Sequence, residues 1–136
     1  MATLAATAAP KLSELAETAK AEKSMNEIDK ILCYSDLFLL PSEKESFGLS
    51  ALEAMMLKVP IISTNVGGLP EVNLDGVSGF LFNLGDIQKM SLKAIEILKD
   101  DILLKKMKEG AHHTAKKYDI KKIIPKYEEV YKLFSR

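Results

Sequence analysis

Pro41-Ser42-Glu43-Lys44-Glu45-Ser46-Phe47-Gly48-Leu49-Ser50-Ala51-Leu52-Glu53-Ala54-Met55-Met56 changes its periodicity at a glycine, and that change decides the fold. Ahead of it, the apolar run Leu37-Phe38-Leu39-Leu40 stops at Pro41, as a buried strand would. Behind it, Leu49, Leu52, Met55 and Met56 recur at helical spacing, which predicts a helix over 48–58. Gly48 therefore lies between the carboxyl end of a strand and the start of a helix. In open α/β sheets ligands sit in that place. The helix N-terminus offers unpaired backbone N–H groups and a partial positive charge, which suit a phosphate. Gly48 lacks a Cβ, so a ligand can approach its backbone. Glu53 falls about a turn and a half into the helix, where a carboxylate can accept hydrogen bonds from sugar hydroxyls. Glu45 stands before the helix, on the loop side of the same place.

Outward from this stretch the chain alternates strand and helix. On the C-terminal side, 60–64 reads as a second strand, with its proline at the first position. A loop, Asn65-Val66-Gly67-Gly68, and a short helical turn over 69–73 follow. Asp75-Gly76-Val77-Ser78-Gly79 is turn chemistry, and 80–82 is a third strand. Asp86 is placed to cap a helix over 87–99 with Met90, Ala94, Ile95 and Leu98 inward. Asp100 or Asp101 starts another, to about Lys117, and Asp119 caps a last helix carrying Ile123, Ile124, Tyr127, Val130, Tyr131 and Phe134. On the N-terminal side, a helix over 26–34 presents Ile28, Ile31 and Leu32. An amphipathic helix over 11–23 and an Ala/Thr-rich tail over 1–10 precede it. Strand, helix, strand, loop, strand is a parallel α/β pattern, and short strands that are apolar throughout are those covered on both faces.

Composition narrows the function. The chain has 136 residues, 47% of them hydrophobic, enough for one domain with a core. Its 19 basic and 19 acidic residues cancel, which excludes the basic footprint of a nucleic-acid binder. One cysteine, Cys33, excludes an internal disulfide framework and reads as a buried thiol in a reducing, cytoplasmic setting. No apolar stretch is long enough to span a membrane. No His/Cys/carboxylate cluster suggests a metal site, and His112 and His113 read as solvated.

The contiguous pattern is Glu45, seven residues, Glu53, then Gly67-Gly68-Leu69-Pro70-Glu71. It resembles the carboxyl-terminal domain of the retaining group 1 glycosyltransferases, which have a two-Rossmann (GT-B) architecture. The wording Ser35-Asp36-Leu37-Phe38-Leu39-Leu40-Pro41-Ser42-Glu43 is similar to that of one branch of the family, the N-acetylglucosaminyl-malate synthases. The similarity covers 25–136 and leaves 1–24 unmatched. It implies a nucleotide-sugar donor, UDP-N-acetylglucosamine in that branch, and no cofactor or metal. It implies that Glu45 lies beside the donor sugar as the catalytic carboxylate. Ser46, Phe47, Gly48 and Leu49 would line the sugar and diphosphate, and Glu53 would bind the ribose hydroxyls. Gly67 and Gly68 read equally as a plain turn and as loop contacts to the donor.

With about three parallel strands and C-terminal helices, the expected fold is a three-layer α/β half-Rossmann unit, the second half of the family's donor domain. The alternative is a non-catalytic, truncated or engineered half-domain that folds and self-associates; a plain interaction module is a third possibility. A half-domain would leave the strand Leu37–Leu40 with an unpaired edge, and such an edge templates pairing with a second copy. That predicts a homodimer with these strands antiparallel across the two-fold axis, the competing outcome being a monomer whose N-terminal segment folds over the edge.

Overall fold

The computed structural model describes residues 5–6 and 27–119, together with 121, 122, 125 and 129, which are helical. The helix expected over 11–23 and most of the last helix lie outside the described residues. The elements are β1 (Ala5–Ala6), α1 (Glu27–Cys33), β2 (Leu37–Leu40), α2 (Leu49–Met56), β3 (Ile61–Thr64), α3 (Leu69–Val72), β4 (Gly79–Phe82), α4 (Ile87–Lys99) and α5 (Asp101–Ala115). A 3₁₀ turn, Lys116–Tyr118, ends α5. The strands stand in the order β1-β2-β3-β4. β2, β3 and β4 are parallel, with Phe38 opposite Ile61 and Ile61 opposite Gly79.

Alternation along the strands explains why they are apolar throughout. Phe38, Leu40 and Ile61 face a core shared with Leu32 of α1, Ala51, Leu52, Ala54 and Met55 of α2, and Ala111 and Ala115 of α5. Leu37 and Ile62 face the other side, where Met90, Ala94 and Ile97 of α4 and Leu104 cover them. Both sheet faces are therefore covered, and the result is the expected three-layer α/β unit with three parallel strands.

β1 was not anticipated. Ala5 and Ala6 pair antiparallel with Phe38 and Leu37, so the β2 edge expected to be bare is met, along those two residues, by the same chain. Among the described residues the sheet ends in this two-residue strand, which removes the main ground for a homodimer across β2. Very short edge strands blunt templated pairing.

The helices sit where expected, but their buried faces differ. In α2, Leu49 and Met56 are exposed, while Ala51 and Ala54 are buried. In α4, Ile97 is buried, Ile95 is exposed and Leu98 is only half-buried. In α1 only Leu32 is buried; Ile28 and Ile31 face out and Cys33 is half-buried. In α2 the reason is that alanines let the helix approach closely, and the closest approach fixes the stripe.

Helix ends follow capping chemistry. Asp100 Oδ1 accepts the Ile102 and Leu103 amides at 3.0 and 2.9 Å. Asp119 Oδ1 likewise accepts the Lys121 amide at 2.9 Å. Asp86 occupies the cap position of α4 without capping; its carboxylate takes the Lys89 ammonium instead. At the end of α2, Val59 N–H donates to the Ala54 carbonyl and Lys58 N–H to the Met55 carbonyl. This is a Schellman motif with Lys58, at φ 62°, in the position usually held by glycine. Nδ1 of His112, expected to be solvated, lies 2.8 Å from the Met56 carbonyl and ties α5 to the same helix end. Asp36 pairs with Lys108 of α5 at the entry to β2.

Candidate functional site

Two loops leave the carboxyl ends of adjacent parallel strands and lock together. The first spans 41–48, between β2 and α2. The second spans 65–68, between β3 and α3. Thr64 Oγ1, at the end of β3, donates to the Ser42 carbonyl at 2.5 Å. Gly68 N–H donates to the Glu45 carbonyl at 3.3 Å. The contact is too close for side chains. A Cβ on Gly67, whose φ is +53°, would lie 1.6 Å from the Glu45 carbonyl oxygen, and one on Gly68 would lie 2.7 Å from that of Ser46. The double glycine is therefore required by the approach of one backbone to another.

Gly48 is required for a related reason. It precedes α2 at φ 87°, ψ 40°, a left-handed conformation that other residues rarely adopt. A Cβ there would point toward Leu69 Cδ2 and Val72 Cγ2 of α3, at 3.0 and 3.1 Å. The space its missing Cβ opens is filled by α3, which corrects the expectation that it opens toward a ligand. Gly48 N–H donates to Glu45 Oε1 at 3.3 Å, and the first intrahelical bond runs from Leu52 N–H to the Gly48 carbonyl. The Leu49, Ser50 and Ala51 amides come before that bond, as orphan donors at a positive helix end.

The expected site residues thus fall into three groups. Glu45, half-buried, and Gly48 are directly bonded, and Gly67 and Gly68 pack onto the Glu45–Phe47 backbone. Ser46, Phe47 and Leu49 are exposed around the turn. Glu53 is exposed on α2, beside buried Leu52 and Ala54, and no described residue bonds its carboxylate. Among the described residues no group of His, Cys, Asp or Glu is gathered closely enough to hold a metal ion. No described helix is long and apolar enough to cross a membrane.

Two supporting residues had no sequence signal. Asn73, wholly buried just after α3, donates through Nδ2 to the Ser63 hydroxyl at 3.0 Å and the Phe80 carbonyl at 3.2 Å. Its Oδ1 accepts from Ser78 Oγ at 3.0 Å. It pins α3, and so the glycine loop, to β3 and β4. Tyr118 sets its ring edge-on to Phe47, with centroids 6.1 Å apart, and donates its hydroxyl proton to the Glu71 carbonyl at 2.6 Å. Both residues work through non-local contacts, which no local pattern announces.

This architecture and turn match one family. Residues 15–114 match the glycosyl transferases group 1 model, and the chain belongs to that family. It is 45% identical over 105 residues to the N-acetyl-alpha-D-glucosaminyl L-malate synthase of Bacillus anthracis, covering 76% of this chain and 28% of that protein. It is 30% identical over 113 residues to an uncharacterized glycosyltransferase of Methanocaldococcus jannaschii, covering 83% of this chain and 32% of that one. The chain thus spans about a third or less of these relatives. Among solved structures, HepE of Anabaena in complex with UDP superimposes with a TM-score of 0.72 at 25% identity, over 76% of this chain and 29% of that one. The C-terminal domain of a group 1 glycosyl transferase from Francisella tularensis does so at 0.65 and 29% identity, over 80% and 63%. The fold is the Rossmann-like α/β unit of GT-B enzymes.

Proposed function

We propose that this chain carries the donor-binding portion of a retaining glycosyltransferase, with UDP-N-acetylglucosamine as the donor. The observation that carries the reading is the left-handed turn at Gly48, locked by the Gly67–Gly68 loop at the N-terminus of α2, with a carboxylate on either side of it. Such a terminus holds phosphate oxygens through backbone amides and the helix dipole. Glu45 already accepts the Gly48 amide, and two anions do not share one donor. The diphosphate therefore takes the Leu49 and Ser50 amides, and Glu45 is left to face the sugar. Glu53, unpaired among the described residues, is free to accept the ribose hydroxyls. Ser46 and Phe47 complete the wall. The reading needs no cofactor and places the protein in the cytoplasm.

Sugar transfer holds donor and acceptor together in an excluded site. The matched relatives are about three times longer, so this portion alone is expected to bind UDP weakly, at about millimolar. It is expected to transfer no sugar to malate. Glu53→Ala should weaken UDP binding by about 1–3 kcal/mol through lost charge-assisted hydrogen bonds. An unchanged affinity would remove Glu53 from the site. Turnover by the purified chain that Glu45→Ala abolishes would show a complete active site instead. The second reading, a half-domain without chemistry, draws on the same short span. It predicts the same weak binding but no turnover even when joined to an acceptor domain, whereas an interaction module would not bind UDP.

A further inference from the structure

Tyr118, in the 3₁₀ turn that ends α5, touches the first loop of the site and the short helix that follows the second. Its ring meets Phe47 of the first loop edge-to-face, with an interplanar angle of 76°. Its hydroxyl is bonded to the Glu71 carbonyl in α3, which directly follows the second loop. The two loops meet through backbone at Gly67 and Gly68, where the Gly68 amide donates to the Glu45 carbonyl. Neither loop has an apolar side chain buried within it: Ser46, Phe47, Asn65 and Gly67 are exposed, and Val66 is half-buried. Val66 packs against the core, and beyond it the interlock has little apolar packing of its own. Tyr118 is held firmly from behind, because α5 packs Ala111 and Ala115 into the core beneath α2.

From this we infer that Tyr118 is a positioning residue for the donor loop, resting on the donor-site reading above. It holds Phe47 and α3 at a fixed separation, so the Gly48 turn and its amides are ordered before a ligand arrives. A ligand then binds without ordering the loop itself, and preorganisation of that kind appears as affinity. Two features give the clamp its geometry. The aromatic pair fixes the ring plane. The hydroxyl, bonded to a carbonyl of a four-residue helix, fixes how far that helix can move from α5.

The test uses the full chain with UDP as the probe, and two variants. Tyr118→Phe keeps the ring contact and loses the bond to Glu71. Tyr118→Leu loses both. Saturation of the Gly48 and Leu49 amide shifts measures affinity, and hydrogen exchange without ligand measures loop order. Tyr118→Leu is expected to weaken UDP binding about tenfold, with Tyr118→Phe between it and wild type. Exchange at Gly68 and Glu71 should quicken in Tyr118→Leu, while Ile62 in the middle of β3 keeps its wild-type rate. Equal UDP affinity in all three proteins overturns the inference and leaves the donor reading standing. So does exchange at Ile62 that rises as much as at Gly68, since that marks an ordinary packing role. A wild-type protein whose amides do not respond to UDP removes the donor reading, and the inference with it.

Discussion

Asn73→Leu is expected to lower the unfolding free energy by about 3 kcal/mol, and the melting temperature by roughly 10–15 °C. Leucine keeps the branch at Cγ, so most of the loss comes from hydrogen bonding, with some crowding from its larger methyls. Nδ2 serves the Ser63 hydroxyl, the Phe80 carbonyl and, at 3.4 Å, the Ile61 carbonyl; Oδ1 serves the Ser78 hydroxyl. Leucine leaves these oxygens in a dry interior, where each unsatisfied group costs about 1–3 kcal/mol. Some relief is available, because the Ser78 hydroxyl also bonds with the Leu74 backbone. The effect has a second, local part. Without Asn73 the end of α3 is no longer tied to β3 and β4, so the glycine loop should exchange its amides faster than the rest. Chemical denaturation followed by circular dichroism measures the first part. A loss under about 1 kcal/mol would show that the network is not fully formed in solution.

Gly67→Ala should cost about 3 kcal/mol or more and should displace the candidate site while leaving the sheet intact. Two effects add. The residue sits at φ +53°, which a side chain resists by about 1–2 kcal/mol. The new Cβ would also fall 1.6 Å from the Glu45 carbonyl oxygen, a backbone atom that moves only if the first loop moves. Gly85→Ala separates the two. Gly85 has φ +92° and nothing within 4 Å of its missing Cβ, so it reports the conformational term alone, about 1 kcal/mol. Unfolding curves of the two variants, with amide spectra of Gly48 and Gly68, decide the matter. Equal losses would mean that the two loops do not interlock.

How much of this was legible in the sequence depended on how local each cause was. Pro41 stops a strand and Gly48 starts a helix by backbone rules acting within a residue or two, and the β2–α2 boundary was read on that basis. The span of α4 was likewise set by Asp86 and Asp100 at its ends, although only Asp100 caps through its side chain. The helix faces were misread where alanine outranked a larger neighbour. Ala51 and Ala54 are buried because α2 lies tight against β2, β3 and α5, and periodicity weighted by size turned toward Met56 instead. β1 carries two alanines, with no alternation to read. Tyr118 acts on Phe47 and Glu71, tens of residues away, and Asn73 on Ser63 and Phe80 in two different strands, so their roles exist only once the chain is folded. The pattern from Glu45 to Glu53 could be tied to a family, but the fit of Gly67 against Glu45 had to be seen in three dimensions.

The central claim is that the Gly48 turn and the first turn of α2 form the phosphate end of a nucleotide-sugar site. Amide spectra of the ¹⁵N-labelled chain, titrated with UDP into the tens of millimolar, test it most directly. Saturable shifts are expected at Gly48, Leu49 and Ser50, and smaller ones at Gly68, with one apparent dissociation constant of about a millimolar. Spectra unchanged at those four amides, or shifts confined to a distant surface, would contradict it.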